Sequence, residues 1–257
     1  MKILLVIAAV VYLSALVYIY VTQDDKIFNA TSIEKREPFS LKGVEQITFE
    51  IDDIVLDGIY KKSQKEDAPL ILYFGGNADD ATRILLHVKS LVGYDIVAFN
   101  YRGFASSTGK PSEKAMFGDA LKIYDKYKKE KEVMVIGRSL GTGVATYVAS
   151  KRDVKGLILI TPFDSIVSMA KEKYPYFPID LLLKHKFESA KYMLDVQASV
   201  GLIEVEFDDV ISKKHFDKLM AKVKNLALHV ELKNTTHADV LMHPDFEKTL
   251  KRIIDVM

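Results

Sequence analysis

A serine lies between two glycines at residues 137–141, Gly-Arg-Ser-Leu-Gly, directly after the apolar run of residues 133–136. An apolar run followed by G-x-S-x-G and then by small residues predicts a strand, a sharp turn and a helix. The serine in such a turn has a strained backbone that lifts its hydroxyl clear of the main chain. Glycine is needed on both sides because a Cβ there would collide with the strand or the helix. Ser139 is therefore the candidate nucleophile.

Apolar runs alternate with segments of helical periodicity from residue 70 onward. The predicted strands are residues 70–74, 96–99, 133–136, 156–160, 200–207 and 226–232, and the predicted helices are residues 78–91, 112–129, 140–151, 212–223 and 244–256. Upstream, residues 46–51 and 54–60 alternate around Asp52-Asp53, which predicts an antiparallel hairpin. Strands that are apolar throughout are buried on both faces. The sequence therefore predicts an α/β fold over residues 44–257, with a mostly parallel sheet covered by helices on both faces.

Residues 163–197 do not fit this alternation, because they lie between two predicted strands and contain none of their own. The segment includes Tyr174-Pro175-Tyr176-Phe177-Pro178 and three consecutive leucines. An insertion at this place would lie over the carboxyl edge of the sheet, where ligands bind in open α/β folds. We expect a small apolar cap over a substrate pocket; the alternative is a set of surface helices that pack down on the domain.

Residues 3–21 are almost continuously apolar. A helix of that length spans about 28 Å, close to the hydrocarbon thickness of a bilayer. We expect residues 1–22 to be an uncleaved transmembrane anchor, with a cleaved signal peptide as the alternative, and residues 23–43 to be a connector. The short segment before the apolar run favours a catalytic domain on the extracytoplasmic side of the membrane. The charges on either side of the run do not decide the orientation.

Composition excludes several classes of function. The chain has 36 basic and 35 acidic residues and no cysteine. The balanced charge, without a basic patch interleaved with aromatic residues, gives no indication of nucleic-acid binding. The lack of cysteine excludes disulfides, a thiolate nucleophile and cysteine-ligated metals.

A serine hydroxyl needs a base in hydrogen-bond reach, and the base needs an orienting carboxylate. Of the six histidines, five fall within or at the start of predicted helices, in the last strand or in the predicted cap: His87, His185, His215, His229 and His243. His237 follows the last predicted strand on a short polar loop. Because the base comes last in the order serine, acid, histidine that follows a turn of this kind, His237 is the predicted base.

The predicted acid is Asp208, at the end of the strand 200–207, with Val210 and Ile211 expected to pack inward behind it. Asp209 is the alternative, and the two could also be an ordinary pair of helix-capping residues. Asp164, after the strand 156–160, is a more remote candidate that is more typical of a turn.

The negative charge that develops on a substrate oxygen requires backbone N–H donors in fixed positions. One donor is expected to be the amide of Leu140, after the nucleophile. The other is expected in the loop after the strand 70–74, where the amide of Asn77 is our choice and that of Gly76 is next. Arg138 could contact a substrate carboxylate, although a structural role is the better interpretation.

Together these residues resemble the α/β-hydrolase superfamily, and more narrowly its membrane-anchored serine hydrolases of the Bem46-like group. The matching stretches are residues 73–78, 100–104, 109–113, 137–143, 174–178 and 187–189 and the regions of Asp208 and His237. The resemblance implies an eight-stranded sheet and a triad of Ser139, Asp208 and His237, with oxyanion donors at Asn77 and Leu140. It also implies hydrolysis of an acyl ester or thioester without a metal or cofactor.

The chain departs from the usual pattern of these relatives at three positions. Gly75 stands where histidine is frequent, Val205 where glycine is usual and Ser212 where proline is usual. The last two bear on the choice of acid, but none removes a catalytic group. The expected substrate is a small-molecule or lipid acyl compound. A non-catalytic binding or scaffold protein and a serine aminopeptidase or amidase are the alternatives.

Overall fold

The computed structural model describes residues 1–30, 41 and 43–257. Within these residues the chain forms one eight-stranded sheet. The strands are β1 Val44–Ile51, β2 Ile54–Lys61, β3 Leu70–Phe74, β4 Asp95–Phe99, β5 Val133–Arg138, β6 Gly156–Ile160, β7 Ser199–Phe207 and β8 Leu226–Thr236. Their order across the sheet is β1-β2-β4-β3-β5-β6-β7-β8.

The hairpin of β1 and β2 is antiparallel and joins β4 in the antiparallel sense. From β4 onward every neighbouring pair is parallel. The predicted hairpin and the predicted mostly parallel sheet are therefore confirmed. The carboxyl ends of the parallel strands meet at one edge, which is where the loops that carry chemistry are found in such folds.

The helices are α1 Lys2–Ile27, α2 Glu113–Lys128, α3 Leu140–Lys151, α4 Ile166–Lys173, α5 Ile179–Leu182, α6 Ser189–Tyr192, α7 Lys213–Met220 and α8 Phe246–Asp255. Helix α2 begins where the Ser112 hydroxyl accepts a hydrogen bond from the Ala115 amide, an N-cap that satisfies one of the free donors of the first turn. On β3, Leu70 and Leu72 belong to the core under α2 and α3, while Ile71 and Tyr73 belong to the core under α8. The sheet is thus buried on both faces, as expected for strands that are apolar throughout.

Two predicted elements are wrong in extent. The predicted helix over residues 78–91 is only a short 3₁₀ helix, Ala81–Leu86, so His87 lies just after it and not within a helix. The Asp80 carboxylate caps this segment by accepting from the Thr82 amide and hydroxyl, which fixes a tight local turn. The last strand continues to Thr236, four residues beyond its predicted end.

Helix α1 is longer than the predicted anchor, because it continues through Ile27 into the first residues of the predicted connector. Its most apolar 18 residues have a mean hydropathy of 2.6, so its length and composition are those of a helix that can cross a membrane. Most of the predicted connector, residues 31–40 and 42, lies outside the described residues.

Candidate active site

Ser139 occupies the turn between β5 and α3, with φ 48° and ψ −120°. A positive φ is strained for any residue with a side chain. The turn is tight on both sides: a Cβ on Gly137 would lie 2.4 Å from the Gly141 carbonyl oxygen, and one on Gly141 would lie 2.2 Å from the Phe74 carbonyl oxygen. The two glycines therefore allow β5, β3 and α3 to converge on the serine.

The structure brings Ser139, His237 and Asp208 into one hydrogen-bonded chain. His237 Nε2 lies 2.9 Å from Ser139 Oγ, and His237 Nδ1 lies 3.0 Å from Asp208 Oδ2. A carboxylate can only accept hydrogen bonds, so the proton of the neutral ring belongs on Nδ1 and leaves Nε2 free to accept from the serine hydroxyl. This is the geometry that a nucleophile, a general base and an orienting acid would require.

Asp208 is held by the loop that follows β7. Its Oδ1 accepts hydrogen bonds from the amides of Val210 at 3.0 Å and Ile211 at 2.7 Å. The expectation that Val210 packs inward is wrong, because its side chain is exposed while that of Ile211 is buried. Asp209, the alternative acid, is exposed, and its carboxylate makes no hydrogen bond to His237 among the described contacts.

The predicted oxyanion residues flank the serine. Leu140 is the first residue of α3, a position where a helix has no internal partner for its N–H. Asn77 lines the same cavity as Ser139 and Leu140. The Gly76 amide is engaged, since it donates to Asp79 Oδ2 at 2.8 Å. This leaves the amides of Asn77 and Leu140 as the better pair of donors.

Arg138 has the structural role that the sequence favoured. Its guanidinium is buried, pairs with the Asp79 carboxylate and donates to the carbonyl oxygens of His237 at 3.0 Å and Ala238 at 3.2 Å. Burial alone would lower the pKa of Arg138, but the charge of Asp79 outweighs it and the pKa is raised. The guanidinium is therefore a permanent cation that ties the oxyanion loop to the histidine loop.

Three of the other histidines are paired with carboxylates away from Ser139. His185 Nε2 lies 3.2 Å from Asp24 Oδ1, and His229 Nε2 lies 3.1 Å from Glu204 Oε2. His215 Nδ1 lies 2.7 Å from Asp164 Oδ1 in a second buried pair. Sequence reasoning missed this pair, because Asp164, four residues after β6, is far from His215 in the chain.

An apolar cavity of about 270 Å³ opens beside Ser139. The predicted cap segment forms α4, α5 and α6, and its Phe163, Met169 and Ile179 line the cavity. Helix α1 also lines it, through Ile19 and Ile27. Sequence reasoning gave α1 no part in the site, because its residues are apolar all round and mark no face for contact with the domain.

Known proteins share this fold. A family model described as the alpha/beta hydrolase fold matches residues 72–187. An esterase of Pyrococcus furiosus superposes with a TM-score of 0.66 at 15% identity, covering 87% of this chain and 98% of the esterase. A membrane phospholipase A superposes with a TM-score of 0.65 at 13% identity, covering 99% of this chain and 96% of the phospholipase. This chain therefore has the α/β-hydrolase fold.

Curated relatives are more similar in sequence. Lysophosphatidylserine lipase ABHD12 of Danio rerio is 35% identical over an alignment of 199 residues, and the match covers 66% of this chain and 52% of the lipase. An uncharacterized protein of Mycobacterium tuberculosis is 28% identical over 181 residues, 66% of this chain and 63% of that protein. The match to the lipase thus spans about half of that protein's length.

Proposed function

We propose that this protein is a serine hydrolase that cleaves an acyl ester or thioester of a lipid through Ser139, His237 and Asp208. The observation that carries the proposal is the continuous hydrogen-bonded chain from Asp208 through His237 to the Ser139 hydroxyl at the wall of an apolar cavity. The similarity to a lipase supports the same reaction class.

The reaction follows from the geometry. His237 Nε2 takes the hydroxyl proton as Ser139 Oγ attacks the acyl carbon, and the resulting oxyanion accepts hydrogen bonds from the amides of Asn77 and Leu140. His237 then gives the proton to the leaving alcohol or thiol as the bond to the acyl carbon breaks. A water molecule, deprotonated by the same nitrogen, attacks the acyl-enzyme and releases the carboxylic acid and Ser139.

The lining of the cavity favours an amphiphilic substrate. Its apolar side chains suit an acyl chain, while Lys26 and Lys173 are the cations among its lining residues. The relatives named lysophosphatidylserine lipase act, by that name, on a single-chain lipid with an anionic head group. We infer a substrate of the same kind for this protein: one acyl chain and a negatively charged head.

We also infer that α1 anchors the protein in a membrane and that the cap touches the membrane surface. Tyr12 of α1 stacks on Phe177 of the cap with ring centroids 5.4 Å apart. Near this contact the cap exposes Tyr176 and Leu181, whose exposed fractions are 85% and 84%. Exposed apolar groups beside an apolar helix are typical of a lipid-facing surface.

A fluorophosphonate probe tests the catalytic assignment. The wild type and the matched control Ser106→Ala, which changes an exposed serine, should be labelled equally, and Ser139→Ala should not be labelled. Hydrolysis of lysophospholipid, nitrophenyl ester, thioester and aminoacyl amide substrates by the same three proteins would then separate lipase or esterase from amidase activity. Equal labelling of Ser139→Ala and the wild type would refute the proposal.

We propose that the domain lies on the extracytoplasmic side of the membrane. One introduced thiol can test this, because the chain has no cysteine of its own. The variant Lys248→Cys places a single thiol on the exposed surface of α8. A membrane-impermeant maleimide added to intact cells should label it. Labelling that requires cell lysis would place the domain in the cytoplasm.

A further inference from the structure

Helix α1 changes character along its length. Its first four turns are exposed apolar residues. Nearer its carboxyl end, Ile19 and Gln23 are buried, with exposed fractions of 8% and 3%. They are one helical turn apart, so they lie on one face. The carboxyl-terminal half of α1 is therefore part of the folded domain.

Specific polar contacts hold this half in place. The Gln23 side chain donates from Nε2 to the Leu182 carbonyl oxygen at 3.1 Å and accepts from the Lys184 amide through Oε1 at 2.7 Å. The next residue, Asp24, has its Oδ1 3.2 Å from His185 Nε2. A buried amide with both ends satisfied fixes the rotation of the helix against the cap, because any other rotation would leave those groups unpaired.

The chain that leaves α1 continues toward the catalytic centre. Phe28 is buried in the main core and contacts the rings of His185 and Phe187 edge to face. The next amide, of Asn29, donates to Asn77 Oδ1 at 2.6 Å. The segment after the helix thus touches the residue whose amide is proposed to bind the oxyanion.

Ile19 and Ile27 line the cavity that also contains Ser139, together with Met169 and Ala170 of α4. We propose that the carboxyl-terminal half of α1 is a wall of the acyl pocket, and that Ile19 and Ile27 determine which acyl chains fit. This inference rests on the proposed function. It gives the apolar helix a second role, in substrate selection, beyond attachment to a membrane.

The role has a direct physical consequence. Each methylene of an acyl chain gains free energy by leaving water for an apolar wall, so a longer chain binds better only while the wall leaves room for it. A larger side chain at position 19 would remove that room and would overpack the pocket when a long chain enters. A short acyl group, which needs only the region of Ser139, would be unaffected.

The test uses full-length protein and one substitution on each face of the helix. Ile19→Trp adds bulk to the pocket wall, and Val21→Trp adds the same bulk at a site with an exposed fraction of 64%. For Ile19→Trp we expect kcat/KM on a dodecanoyl nitrophenyl ester to fall by at least about tenfold, with the butanoyl ester within about twofold of the wild type. Val21→Trp should keep both values. An unchanged chain-length ratio in Ile19→Trp would overturn the inference.

Fluorescence distinguishes a change inside the pocket from detachment of α1 from the domain. The protein has no tryptophan, so each variant carries a single tryptophan whose emission can be followed. Reaction of Ser139 with a dodecyl fluorophosphonate, which releases fluoride, should shift the emission of Ile19→Trp, while an ethyl fluorophosphonate should not, and Val21→Trp should respond to neither. Emission of Ile19→Trp that ignores both phosphonates, in protein that both have labelled, would place residue 19 outside the pocket and refute the inference.

These outcomes separate the two proposals. Failure of wild-type protein to react with either phosphonate or to hydrolyse any ester would count against the serine hydrolase assignment. Reaction of Ser139 with both phosphonates, without any dependence on position 19, would leave that assignment intact and reject only the role of α1.

Discussion

The Arg138 guanidinium donates a hydrogen bond from Nη2 to the carbonyl oxygen of His237 at 3.0 Å. The same guanidinium pairs with Asp79, whose carboxylate accepts from the Gly76 amide at 2.8 Å. One buried cation thus fixes both the loop of the proposed base and the loop of the proposed oxyanion donors. The residue beside the nucleophile is therefore expected to act by positioning and not by contact with the substrate.

Replacement of Arg138 by lysine should lower kcat by about 10²-fold, with little change in KM. A loss of that size is expected when a catalytic group is displaced by roughly 1 Å. Lysine keeps the charge but lacks the planar fork that reaches two loops at once. The control is Arg152→Lys, which changes a partly exposed arginine paired with Asp125 at 2.7 Å. Steady-state kinetics on a short ester measures both. A loss confined to KM would assign Arg138 to substrate binding instead.

The choice between the two aspartates after β7 can be tested directly. Asp208→Asn should lower kcat by about 10²–10⁴-fold, because an amide can donate to Nδ1 and favour the wrong tautomer of His237. Asp209→Asn, one residue away and exposed, should stay within about twofold of the wild type. Initial rates of ester hydrolysis by the two variants, measured with and without fluorophosphonate, test this assignment. Activity lost in the second variant and kept in the first would reverse the assignment.

Gly141, which follows Ser139 in the first turn of α3, should respond to substitution in the opposite direction from Gly118 in the middle of α2. Gly141→Ala would place a Cβ 2.2 Å from the Phe74 carbonyl oxygen, and overpacking against the backbone should destabilise the fold by about 3 kcal/mol or prevent folding. Gly118→Ala, inside α2 with open space around it, should stabilise the protein by about 0.5–1 kcal/mol. Urea unfolding of both variants gives the comparison.

Acid stability should depend on Asp95. Burial alone would raise the pKa of its carboxyl, but hydrogen bonds from Lys131, Ser63 and Tyr60 outweigh it and hold the pKa below its ordinary value. A carboxyl with a lowered pKa in the folded state stabilises the protein above its unfolded-state pKa, and that contribution is lost as the pH falls through the folded-state pKa.

We therefore expect Asp95→Asn to be destabilising at pH 7 and to approach the wild type as the pH falls below about 4. Free energies of unfolding in urea at several pH values measure the difference. The exposed Asp53→Asn should show no such trend. A destabilisation by Asp95→Asn that is independent of pH would mean that packing, and not charge, explains the effect.

The sheet could be predicted because its strands carry their own signal. A strand buried on both faces must be apolar throughout, and β3, β5 and β6 are nearly so. The residues brought together at Ser139 were also predictable, because each follows a strand whose carboxyl end reaches the same edge. The structure of the short segment after Asn77 was not predictable. Its Asp79 pairs with Arg138 and its Asp80 accepts a hydrogen bond from Asn100, and both partners are distant in sequence. Helical periodicity cannot report such contacts.

The wall formed by α1 was unpredictable for a different reason. A helix without a polar face gives no indication of which side will be covered. The second pair, His215 with Asp164, was also invisible, because its members are far apart in the chain and each has an ordinary role in a turn or a helix.

Helix α1 runs for 26 residues without glycine or proline, so it has no hinge at which a bend could be absorbed. A helix of fixed hydrophobic length adapts to a thinner or thicker bilayer by tilting. If α1 anchors the protein as we propose, Ile19 and Ile27 belong to the same rigid rod as its lipid-facing turns, and a tilt would move one side of the cavity relative to Ser139. The lipid composition of the membrane would then affect which acyl chains fit the cavity.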